Sequence, residues 1–149
     1  MNTEDINTIL STNSVTKDTF LGVFALDELP KSKLMTDRWF LVCNCCPINL
    51  PGEHWVLMFY ENDEIQFFDS FGKAPDFYNG MERFILEQNP GAVSFNPEQF
   101  QSFGSDACGH YCVLVGYMRS AGETMEAVTS NLRRLDRDSF LRYIVNNLI

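Results

Sequence analysis

Apolar residues recur along this chain with two different spacings. Residues 2–12 place Ile6, Ile9 and Leu10 on one helical face, which predicts a short helix. Thr16-Lys17-Asp18-Thr19 reads as a second helix start ahead of the apolar stretch FLGVFALDELP, which Pro30 closes. Residues 38–46, RWFLVCNCC, are rich in strand formers and predict a strand. Pro47 to Gly52 reads as a loop, and His54-Trp55 then opens a second strand, WVLMFY. Glu61-Asn62-Asp63 is a turn, and Ile65 to Asp69, IQFFD, is a third strand, so the two strands form an antiparallel hairpin. Phe71 to Pro75 leads into a helix with Phe77, Met81, Phe84 and Ile85 on one face, stopped by Asn89-Pro90-Gly91. Residues 92–95, AVSF, predict a short strand. The unbroken apolar run from Tyr111 to Met118 predicts a buried helix whose first turn lies near Cys108. A last helix, capped by Asp136 or Asp138, carries Phe140, Leu141, Ile144, Val145 and Leu148 on one face. These elements predict an α+β fold with a central, mostly antiparallel sheet packed by helices. With no repeat, low-complexity tract or linker, residues 1–149 are expected to form one domain.

A chain of 149 residues buries enough surface to fold without disulfides or a structural metal. Its 20 acidic residues against 11 basic ones leave a net charge of −9, which argues against nucleic-acid binding through phosphate contacts. No apolar stretch is long enough to span a membrane. The N-terminal MNTEDINTIL lacks the basic region and apolar core of a secretory signal. An odd cysteine count, five, with three crowded at Cys43, Cys45 and Cys46, suits reduced thiols in a cytosolic or nuclear setting. Neighbouring strand residues point to opposite faces, so those three make a poor metal chelate, and no metal or cofactor is expected.

The chemistry concentrates in Gln101 to Cys112, QSFGSDACGHYC. A cysteine in the first turn of a helix lies where backbone N–H groups and the helix dipole favour a thiolate, and Ser105 and Asp106 are suitable capping residues. A cysteine hydrolase also needs an imidazole, a group that orients it and an oxyanion donor. The chain has two histidines. His110 is two residues past Cys108 on the same helix and points to another face. His54 opens one strand of the hairpin and Asp69 ends the other, so sheet geometry brings their side chains into reach. Gln101 can aim an amide N–H at the same place, with Gln99 a competitor for that role. The candidate constellation is His54, Asp69, Gln101 and Cys108, while Cys112, one turn further on, reads as core.

GEHWV, FFDSFG and QSFGSDACGHYC, in that order, resemble the adenovirus-type (adenain-like) maturation proteases, which belong with the SUMO and ubiquitin-like-specific cysteine proteases. FLGVFALDELP resembles the N-terminal motif of related proteases in virophages and virus-like DNA transposons. The resemblance runs from about Phe20 to Met118. It implies the adenain/ubiquitin-like-protease fold, with the nucleophile at the N-terminus of a buried helix. It also implies His54 as acid and base, Asp69 as its orienter, Gln101 with the Cys108 N–H as oxyanion donors, and Cys108 as nucleophile. Trp55 would wall a narrow substrate channel, and cleavage of protein or peptide substrates would fall next to glycine. The implied role is processing of viral or virus-like structural precursors, in the host nucleus or cytoplasm and the virion. This chain departs from adenovirus proteases in being shorter and acidic, so DNA activation is not carried over, and no docking cysteine for an activating peptide is identifiable. The rivals are a protease of ubiquitin or SUMO conjugates using the same site, an acyltransferase built on the same His-acid-Cys set, and a non-catalytic binding module. The intact constellation argues against the last. The acyltransferase lacks a basic site beyond Arg133-Arg134 and Arg137.

Overall fold

A computed structural model describes residues 1–45, 54–102, 104–134 and 138–148. Cys46, the loop Pro47–Gly52 and the Asp136 cap lie outside them, as do the side chains of Asp138 and Phe140. Five strands form one sheet: β1 (Phe20–Ala25), β2 (Arg38–Asn44), β3 (Trp55–Glu61), β4 (Glu64–Phe68) and β5 (Ala92–Phe95), side by side in chain order. The central pairings, β2 with β3 and β3 with β4, are antiparallel, and the two outer pairings are parallel. Asn62 and Asp63 join β3 to β4 with φ of 52° and 58°. That is the left-handed pair a two-residue hairpin turn requires, and short polar side chains tolerate it.

The period-two pattern of β2 splits the core. Trp39, Leu41 and Cys43 face one layer, and Phe40 and Val42 the other. Against Phe40, Leu57 and Phe59 pack α1 (Thr3–Thr12), α3 (Cys108–Ser120), α4 (Met125–Arg133) and α5 (Asp138–Asn146). Against Trp39, Met58 and Phe67 packs α2 (Met81–Gln88) through Met81, Phe84 and Ile85. Gly116 lets α3 lie close on the sheet, because a Cβ there would stand 2.6 Å from Phe40 Cε2.

Three elements differ from the sequence reading. Residues 16–19 form turns, and FLGVFA is β1, because aromatic and branched side chains pair in parallel with β2 more favourably than they would coil. The helix expected from Pro75 is broken: Pro75–Phe77 is a single 3₁₀ turn, and α2 begins only after Gly80, whose φ is +97°. Phe77 accordingly leaves the expected buried face and is 64% exposed. Helix α4 was not anticipated, although its signal is present: the Thr124 hydroxyl accepts the Ala127 N–H at 3.1 Å, and Val128 and Leu132 are buried one turn apart.

Candidate active site

The register of β3 on β4, with Leu57 opposite Phe68, carries on past the strand ends to put Val56 opposite Asp69. His54 lies two residues further along the same face, a diagonal neighbour within side-chain reach. His54 Nε2 stands 2.8 Å from Asp69 Oδ1, and the Asp69 side chain is 0% exposed. A side-chain hydrogen bond also links the imidazole to Cys108. Burial works against the imidazolium, but Asp69 and Cys108 outweigh it and raise the His54 pKa to about 9. Burial would likewise raise the Asp69 pKa, yet the hydrogen bonds from His54, Tyr78 and the Phe71 N–H hold it below the usual carboxylate range.

Cys108 is the first residue of α3. Ala107 caps that helix without a side-chain hydrogen bond. The Ser105 hydroxyl accepts the Ala107 N–H at 3.1 Å, and Asp106 pairs outward with Arg142 of α5. Ser105 thus holds the N-cap residue itself, and Asp106 is turned toward α5. Gln101 is 1% exposed. Its Oε1 accepts the Ser70 hydroxyl at 2.6 Å, and its Nε2 donates to the Ser105 carbonyl at 2.7 Å. A primary amide nitrogen carries two N–H groups, so one donor remains beyond that bond. Gln99 is exposed, and its amide is turned back onto the Gln101 carbonyl. The structure thus joins His54, Asp69 and Cys108 directly and ties Gln101 to the residue after Asp69. His110 instead lines a cleft that Glu4 and Asp5 of α1 also line. Trp55, expected to wall the substrate path, is 3% exposed, and its indole packs between β3 and the first turn of α3. A Cβ on Gly109 would stand 3.5 Å from its Cε3.

No family model matches the chain. Superposition on solved structures covers 99% of this chain and 66% of the ASFV pS273R protease, with a TM-score of 0.65 at 17% identity. The SUMO protease Ulp1, in a form with its catalytic cysteine oxidised to a sulfinic acid, superposes over 99% of this chain and 78% of its own, with a TM-score of 0.51 at 14% identity. The fold is that of the adenain/ULP-like cysteine proteases. In sequence, a protein of Acanthamoeba polyphaga mimivirus that carries the name of a thiol protease is 35% identical over 91 residues. The match spans 54% of this chain and 30% of that relative's length.

Within this adenain/ULP-like fold, several residues that support the site escaped the sequence reading. Asn96 brackets Asp69, its Oδ1 accepting the Asp69 N–H at 2.9 Å and its Nδ2 donating to the Asp69 carbonyl at 2.6 Å. Ser70 holds Gln101 through its hydroxyl and accepts the Gln101 N–H on its carbonyl at 3.0 Å. Phe71 lays its ring 4.9 Å from that of His54, and Tyr78 donates its hydroxyl to Asp69 Oδ2. FFDSFG, with its Gly close behind the acid, was a partial signal: a Cβ on Gly72 would meet the Glu98 carbonyl at 2.7 Å, so the loop after Asp69 closes onto the 96–101 loop only through glycine.

Proposed function

We propose that this chain is a cysteine endopeptidase whose nucleophile is Cys108. The observation that carries the reading is the His54 imidazole, bonded to a fully buried carboxylate and linked to the cysteine that begins α3. The Cys108 thiolate attacks the scissile carbonyl carbon, forming a C–S bond and an oxyanion. The second Nε2 N–H of Gln101 and the Cys108 backbone N–H receive that oxyanion. As the C–N bond breaks, His54 gives its proton to the departing amine, leaving a thioester. His54 then takes a proton from water, the resulting hydroxide attacks the thioester, and the C–S bond breaks to release the acid and regenerate the thiolate. Asp69 keeps the imidazole oriented and stabilises its charged form. No step needs a metal.

The substrate is a viral or virus-like structural precursor, cut beside glycine, and residues 1–149 act as one domain in the infected cell and the particle. Support comes from the viral relative and from the likeness to the ASFV protease. The likeness to Ulp1 favours a second reading, cleavage of a ubiquitin-like conjugate. A peptide library and SUMO or ubiquitin conjugates, offered to the protein and to Cys108→Ala, separate the two. Cleavage next to glycine in linear peptides, lost in Cys108→Ala and reduced when that glycine is replaced by alanine, is expected. Efficient turnover of folded conjugates alone would favour the second reading, and full activity in Cys108→Ala would dismiss both.

A further inference from the structure

Asp69 offers two buried oxygens, and only one points at His54. Oδ1 accepts both His54 Nε2 at 2.8 Å and the Phe71 N–H at 2.9 Å, whereas among the described residues the donor at Oδ2 is the Tyr78 hydroxyl. The carboxylate torsion is a soft sp³–sp² rotation, so backbone placement by Asn96 does not by itself hold the plane. A carboxylate gripped at Oδ1 alone can swing about its Cβ–Cγ bond, and a buried oxygen left without a donor is costly. We infer that Tyr78 is a positioning residue of this site: by holding Asp69 Oδ2 it keeps Oδ1 on the imidazole.

The chain delivers Tyr78 on a rigid support. Pro75 starts the 3₁₀ turn, the Tyr78 N–H donates to the Pro75 carbonyl at 3.1 Å, and the Met81 N–H donates to the Tyr78 carbonyl at 3.2 Å. The ring packs on Phe67 with centroids 6.3 Å apart and on His54 at 6.0 Å. Burial and then the Asp69 carboxylate push the phenol well above its ordinary pKa, so it stays a donor across the working range. Cys45 is the further titratable group beside the hydroxyl. The break at Gly80 that shortens α2 is what allows this turn to face the site instead of continuing as helix.

The inference rests on the proposed cysteine-protease reading, and its test keeps the two apart. Tyr78→Phe retains the ring and removes the donor. Its kcat on a cleaved peptide should fall about 10- to 100-fold with KM unchanged, the size expected of a charge-assisted hydrogen bond. The low-field proton resonance of the His54–Asp69 hydrogen bond should shift in Tyr78→Phe and vanish in Asp69→Asn. In the Asp69→Asn background, adding Tyr78→Phe should cost nothing further, because the oriented carboxylate is already gone. Wild-type kcat, an unmoved resonance, or a full additional loss in the double variant would overturn the role of Tyr78. Activity retained in Cys108→Ala would overturn the protease reading instead. Should Tyr78→Phe fail to fold, the unaltered protein decides. With labelled tyrosine, the Tyr78 hydroxyl proton should be shifted and protected from water exchange, and should lose both properties in Asp69→Asn. A freely exchanging hydroxyl would end the proposal.

Discussion

His54 holds its proton past neutrality because two acidic side chains flank it, and that gives a pH dependence with a definite sign. Its folded pKa of about 9 lies above the ordinary 6.5, so the stabilisation it contributes is complete below about pH 6.5 and is lost as the pH rises through 9. Asp69 acts the other way: its folded pKa is depressed below 3.8, so its contribution is complete above that value and is lost as the pH falls through the depressed one. The stability advantage of the wild type over Asp69→Asn, followed by thermal unfolding, should therefore be greatest near pH 4–6.5 and shrink toward pH 10. An advantage that grows on the alkaline side would contradict the charged pair. The two glutamines separate at the same scale. Gln101→Ala should lower kcat by about 10²–10³, the loss typical of an oxyanion donor, while Gln99→Ala leaves it near wild type. The reverse result would assign the role to Gln99.

At the scale of elements, α3 does two things. Its first turn carries Cys108, and its middle lies on the sheet at Gly116. Overpacking that contact should be felt as stability: Gly116→Ala forces Phe40 aside and should lower unfolding free energy by about 1–3 kcal/mol. Denaturant titration with an unchanged m-value measures it, and a variant as stable as wild type would show that Phe40 moves freely. The far end of α3 is tied down by Arg119, which donates to Gln66 Oε1 and Glu61 Oε2 at 3.0 Å each and lies 4.2 Å over the Phe59 ring. One helix is thus bolted to β3 and β4 at its C-terminal end while its N-terminus faces the ends of the same two strands.

Across the whole molecule the charge is negative, and among the described residues five arginines are paired with carboxylates. Arg38 and Arg119 pair with Glu61, Arg83 with Glu87, Arg133 with Glu98 and Arg142 with Asp106. At those five arginines a phosphate backbone would have to displace a carboxylate to bind. Duplex DNA at low salt should accordingly leave kcat/KM unchanged, and a salt-sensitive stimulation would show that a basic track forms despite the net charge of −9.

The sequence by itself determined the features that depend on local period. The run of strand formers in residues 39–43 made β2 a strand, and the polar turn at 62–63 made the hairpin. The hairpin register then brought His54 within reach of Asp69, and the small-residue loop before the apolar run put Cys108 at a helix start. Tertiary structure decided what spans longer separations. β1 is a strand because β2 lies beside it, Phe77 turns outward because Gly80 breaks the helix, and Asn96, Ser70 and Tyr78 meet the acid or the glutamine from loops that carry no periodic signal. The physical reason is reach. Side chains two to four residues apart meet through backbone geometry alone, whereas Asn96 finds Asp69, 27 residues away, only after the crossover through α2 has closed β5 onto β4.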